Sequence, residues 1–195
     1  MKYVYLKQKV FSIRDEFKIY DENQTLLYEA KGKILTLNSR RDLFKAGESQ
    51  PIYTMKQKVL TFVPTYFLYD ANNQQVAKMA QQLLAFFGAK FNLVIKDKKY
   101  DIKGDFFGYN FSINDEAGLV VQITKKFLSW GDTYQIAIAD TFDTALAISV
   151  VLMIDDFIDD QRRASAAAAA SSTAAAAASS TGANRGGGSS RGGRR

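Results

Sequence analysis

The 195-residue chain contains no cysteine and no histidine. Without cysteine there is neither a disulfide framework nor a thiolate metal site, which suits a reducing compartment. Without either residue, Ser–His and Cys–His nucleophile pairs and the common zinc sites are excluded. Catalysis would have to rest on carboxylates, and most of these fall in turn signals such as Asp21-Glu22 and Asp115-Glu116. No apolar run approaches the roughly 20 residues of a membrane-spanning helix. The N-terminus, MKYVYLKQKV, alternates apolar and polar residues and lacks the apolar core of a secretory signal. The expected location is cytoplasmic, with peripheral membrane association as its extension.

Positive charge is concentrated at one end of the chain. After Gln161 the sequence is built from Ala, Ser, Thr, Gly, Asn and Arg, with six arginines and no acid. Removing those six from 26 basic residues leaves 20, against 20 acidic ones, so the formal net charge of +6 belongs to the tail. Residues 1–161 are expected to form one neutral domain. Residues 162–195 are expected to be a disordered tether, with transient helix in the alanine runs, because they offer too little apolar surface to offset ordering. Within the tail, RGGGSSRGGRR makes Arg185, Arg191, Arg194 and Arg195 candidates for RNA or another polyanion.

A short cassette recurs through the domain. It reads KQKVFS at Lys7, KGKILT at Lys31, KQKVLT at Lys56, AQQLLA at Ala80, KGDFFG at Lys103 and TKKFLS at Thr124. Most copies lead into an alternating strand, an Asp/Asn/Gly turn and a second strand, as in Phe17-Ile19-Asp21 followed by TLLYEA. Six such hairpins give about twelve antiparallel strands, and a barrel of twelve has a lumen wider than its own side chains can fill. The remaining element is the stretch 141–158, TFDTALAISVVLMIDDFI, whose centre is apolar on all sides of a helical wheel. Such a helix must be buried all round. The sequence therefore predicts a mainly β fold, a β-barrel wrapped around a C-terminal hydrophobic helix, with Thr141 or Asp143 capping it. An open sheet or sandwich with the helix on one face would call for a polar stripe that is absent. Asp155, Asp156, Asp159 and Asp160 are expected to emerge into solvent at the helix end rather than to bind a metal.

Basic pairs supply the candidate binding residues. If Arg40, Arg41, Lys98 and Lys99 met at one barrel end, they would form an anion site for a lipid head group, with Lys125 and Lys126 as further members. Gly104, Gly108 and Gly131 read as strand bends or bulges rather than a phosphate loop. Phe86, Phe87, Phe106, Phe107, Phe127 and Trp130 cluster in or just after the cassettes, where outward rings would suit a membrane surface or a partner protein.

The strings KQKVFSIRDEFKIYDENQTLLYEAKGK and KGDFFGYNFSINDEAGLVVQITKKFLSWGDTYQIAIAD, with the apolar helix that follows, closely resemble the LURP-one-related family. The resemblance runs from about Tyr3 to Gln161, and its most specific piece is Ser129-Trp130-Gly131-Asp132-Thr133-Tyr134. It implies the tubby C-terminal fold, a twelve-stranded barrel around a central hydrophobic helix. Among relatives of that fold, tubby proteins bind phosphoinositides and phospholipid scramblases associate with membranes. This chain departs from scramblases in having no Cys for palmitoylation and no charge-free span after the barrel. The resemblance implies a non-enzymatic binding protein, needing no cofactor, whose partner is an anionic lipid or membrane surface. The other readings are a polyanion or RNA tether acting through the tail, and a protein-interaction scaffold.

Overall fold

The computed structural model describes residues 1–8, 16–33, 40–58, 63–82, 90–106, 108–128 and 131–182. The chain divides into two compact units, Met1–Asp156 and Phe157–Arg195. In the first, the strands are β1 (Lys2–Gln8), β2 (Glu16–Tyr20), β3 (Leu26–Lys33), β4 (Arg40–Lys45), β5 (Pro51–Lys58) and β6 (Thr65–Asp70). They continue with β7 (Gln75–Gln81), β8 (Phe91–Ile95), β9 (Lys98–Asp105), β10 (Asn110–Asp115), β11 (Gly118–Leu128) and β12 (Gly131–Ile138). Each pairs antiparallel with its sequence neighbours, and β1 pairs with β12 to close the barrel. Closure removes the edge strands that would otherwise offer unpaired backbone to another chain.

Period-2 alternation decides which side chains enter the lumen. β2 buries Phe17 and Ile19 while Lys18 and Tyr20 face outward, and β6 buries Tyr66 and Leu68 between the outward Phe67 and Tyr69. The short hairpin turns all fall at one end of the barrel, here called the turn end. Two of them have the same construction. Asp21 Oδ1 accepts from Thr25 N–H at 2.8 Å, and Asp70 Oδ1 accepts from Gln74 N–H at 2.8 Å. In both, the fourth residue is left-handed, Gln24 at φ 63° and Asn73 at φ 59°.

The six cassettes start toward the other end, because each begins in an odd-numbered strand running away from the turns. Gly104 is one of the bends read from the sequence. Its φ is 128°, and a Cβ there would overlap the Asn110 carbonyl oxygen and stand 2.7 Å from Phe111 Cα. Gly108 N–H donates to Asp105 Oδ1 at 3.0 Å.

After β12 the chain turns into helix α1 (Thr144–Gly182). Of the two expected caps, Asp143 serves: its Oδ1 accepts from Leu146 N–H at 2.7 Å. Every residue from Ala145 to Asp155 is buried. The polar Ser149 is no exception, since its hydroxyl donates to the Ala145 carbonyl at 2.9 Å. A helix buried on all sides within a closed barrel fills the lumen that twelve strands leave open, as the sequence predicts.

In the second unit the helix does not stop near residue 158 but continues to Gly182. Residues 162–182 are helical where the composition predicts disorder. Alanine, the strongest helix former, carries the segment through, with support from the Asp159–Arg162 and Asp160–Arg163 pairs one turn apart at 3.7 and 3.8 Å. Residues 183–195, with Arg185, Arg191, Arg194 and Arg195, lie outside the described residues.

Candidate functional site

Arg40 and Arg41 are adjacent on β4, so alternation sends them to opposite faces. Arg41 points into the lumen and is 3% exposed. Its guanidinium contacts Asp155 Oδ2 at 3.3 Å and Asp156 Oδ1 at 2.6 Å, and lies 4.5 Å from the Phe17 ring centroid. Tyr109 completes the cluster by donating its hydroxyl to Asp155 Oδ1 at 2.7 Å, while its ring packs on Tyr134 at 4.3 Å. This corrects two expectations. Arg41 is unavailable to an external anion, and Asp155 and Asp156 do not emerge into solvent, because a charge in the lumen persists only when paired. Among the described residues no cluster of acids could hold a metal ion.

Arg40 faces outward and starts a row that crosses six strands. Its partner in register on β5 is Lys56, followed by Phe67 on β6, Lys78 on β7, Val94 on β8 and Lys99 on β9. At about 4.8 Å per strand, the row spans about 24 Å of the outer wall. The neighbouring register row is Arg41, Met55, Leu68, Ala77, Ile95 and Lys98. The pairs Arg40-Arg41 and Lys98-Lys99 therefore bracket the same two rows. They do not converge at one barrel end: β4 begins at the cassette end and β9 at the turn end. Strand tilt in a closed barrel carries a hydrogen-bonded row from one end toward the other.

The row carries four cations and two apolar side chains. Arg40 is held by Asp42, with Nε 3.0 Å from Oδ1 and 3.1 Å from Oδ2. Lys56 Nζ lies 4.6 Å from the Tyr69 ring centroid, and Lys78 Nζ lies 5.9 Å from that of Phe67. Neither these lysines nor Lys99 has a carboxylate partner among the described residues. Phe67 and Tyr69 are neighbours, with centroids 6.4 Å apart. Residues 51–95 contain Lys56, Lys58, Lys78 and Lys90 against Asp70 alone, a balance of +3. Residues 105–140 contain five acids and only Lys125 and Lys126, a balance of −3. The neutral total thus conceals a charge polarised around the barrel.

Lys125 and Lys126 lie apart from the row, on β11, in register with Tyr134 and Thr133. Lys125 shares the face of the inward Ile123, and Lys126 is exposed. Of the cassette aromatics, Phe106 is buried against Phe91 and Phe111 rather than outward, with centroids 5.2 and 5.6 Å away. Phe86, Phe87, Phe107 and Trp130 lie outside the described residues, as does the side chain of Phe127. The outward ring that joins the cations is instead Phe67. Sequence reading passed over Lys56, Phe67, Lys78 and Val94 because each is unremarkable alone. The outward parity of Lys56 and Lys78 was readable, but their alignment depends on register across strands.

No helix among the described residues is long and apolar enough to cross a membrane. A sequence model of the family described as LURP-one-related matches residues 3–155. The uncharacterized protein YxjI of Bacillus subtilis (strain 168) is 26% identical over 152 residues, which are 78% of this chain and 91% of that protein. An X-ray structure of a protein from Arabidopsis thaliana matches with a TM-score of 0.57 at 15% identity, covering 80% of this chain and 91% of that one. That likeness carries the fold alone.

Proposed function

The chain belongs to the LURP-one-related family, and from that membership and the charge laid across its outer wall we propose that it is a non-enzymatic binding protein that docks on an anionic membrane surface. The observation that carries this reading is the register row Arg40, Lys56, Phe67, Lys78, Val94 and Lys99. Lysines near an anionic bilayer contribute about 1 kcal/mol each. Phe67 and Val94 add apolar contact between the cations, which distinguishes a bilayer interface from a purely charged polymer. A wall built of β-strands presents the row without folding on contact, so ordering costs are small.

The test is co-sedimentation of the full-length protein with phosphatidylcholine vesicles, alone or mixed with phosphatidylserine. Binding is expected only to the anionic mixture and should weaken with salt. Replacing Lys56 and Lys78 by Gln should weaken it by about 2 kcal/mol, roughly thirtyfold. Replacing Arg185, Arg191, Arg194 and Arg195 by Ser should leave most of the binding intact. If that second variant alone loses binding, the affinity belongs to the tail and the polyanion-tether reading replaces this one. If the wild type binds neither vesicle, a protein partner for the barrel becomes the better reading.

A further inference from the structure

β1 stands six strands from β7 in the closed order of twelve, half a turn around the barrel from Lys78. There, where β1 meets β2 and β12, the outer wall holds a cleft of about 230 Å³. Its floor is made by Tyr5 and Tyr20, which are directly opposite in register. Tyr5 is oriented by Gln135, whose Nε2 donates to the phenol oxygen at 3.3 Å. Lys7 Nζ sits 4.7 Å from the Tyr20 ring centroid, and Thr133, fully buried, lies behind it.

The rim comes from the β2–β3 turn, which supplies Asp21, Glu22 and Gln24. Asp21 uses Oδ1 to hold the Thr25 amide. Its second oxygen, the Glu22 carboxylate and the Gln24 side-chain amide have no hydrogen-bond partner among the described residues. Gln24 is also locally out of character. The same turn between β6 and β7 places Asn73 in the left-handed position, a residue that tolerates it, whereas Gln24 adopts φ 63° without that advantage. A local rule broken beside a cleft is where a functional constraint is expected.

We infer that this cleft binds a neutral polyhydroxylated ring, the chemistry of a monosaccharide or sugar residue. The Tyr5 and Tyr20 side chains offer apolar surface to ring C–H groups. Carboxylate oxygens accept hydrogen bonds from adjacent hydroxyls, while the Gln24 amide and the Lys7 ammonium donate to them. The two carboxylates oppose a phosphate, and the Lys7 ammonium, whose pKa burial lowers, offsets one of them. The cleft lies on the face away from the cationic row, so this site stands independently of the membrane reading.

The experiment is an amide-shift titration of the full-length protein with D-glucose, D-galactose and N-acetyl-D-glucosamine. Glycine betaine and inorganic phosphate serve as the zwitterionic and anionic comparators. At least one sugar should bind saturably in the millimolar range, shifting the amides of residues 20–25. Glu22→Ala and Gln24→Ala should each weaken that binding about tenfold while keeping the melting temperature and the vesicle binding of the wild type. Absence of saturable shifts with all three sugars overturns the inference. So does tighter binding of betaine or phosphate, or sugar binding that both alanine variants retain.

Discussion

Arg41 on β4 and Asp155 on α1, 114 positions apart in the chain, meet inside the barrel at 3.3 Å. The contact fixes the height of the helix in the lumen. Sliding the helix by one turn, about 5.4 Å, would leave a buried guanidinium without its carboxylates. Truncation to Arg41→Ala should therefore cost about 3–5 kcal/mol in urea unfolding, because it abandons two acids in the interior. Replacing the cluster together, as Arg41→Met with Asp155→Leu and Asp156→Leu, should recover most of that loss. A single variant that melts with the wild type would contradict this role.

Ile148 is fully buried at the middle of the enclosed helix segment. Ile148→Asp places a charge where no partner exists among the described residues and should cost several kcal/mol, comparable with the whole stability of an ordinary domain. Ile148→Val should cost only about 1 kcal/mol. Circular dichroism melts of the two variants separate a central helix from a peripheral one.

Gly104 and Gly118 share nearly the same φ, 128° and 127°, but not the same surroundings. An added Cβ at Gly104 strikes β10, whereas at Gly118 nothing lies within 4 Å. Backbone strain penalises both alanine substitutions, and only Gly104→Ala adds overpacking. It should be the more destabilising by about 1–3 kcal/mol, read from denaturant midpoints.

Three phenols make the fold sensitive to alkali. Burial raises the pKa of Tyr28, Tyr53 and Tyr100 above the usual 10.0, with added repulsion from Asp143 at Tyr28 and Tyr53, and from Asp115 at Tyr100. A raised folded pKa contributes stability that is fully present below pH 10.0 and is lost as pH climbs through the folded values. Lys7 works the other way, since burial lowers its pKa and relief comes as it deprotonates, but it is one group against three. The melting temperature should fall above about pH 10. A Tyr28→Phe, Tyr53→Phe, Tyr100→Phe variant should flatten that fall.

Much of the architecture was legible from local pattern. Alternation such as Phe17-Ile19 and Tyr66-Leu68 identifies inward faces, the recurring cassettes count the hairpins, and the all-round apolarity of 145–154 demands enclosure. What local pattern cannot supply is register. Adjacent basic residues looked like pairs, yet alternation separates Arg40 from Arg41 and places one on the wall and the other in the core. Arg40 and Lys99 are joined only through Lys56, Phe67, Lys78 and Val94, an alignment set by strand tilt and long-range pairing. The buried aspartates were misjudged for the same reason, because nothing near Asp155 in sequence announces Arg41 or Tyr109.

The central claim is that the wall from β4 to β9 carries the affinity for anionic surfaces. Its most direct test is the vesicle affinity of Lys56→Gln, Lys78→Gln against wild type, with the salt dependence measured for both. A roughly thirtyfold weaker variant with a shallower salt slope and an unchanged melting temperature is the predicted result. Equal affinity and equal salt dependence would contradict the assignment of binding to this wall.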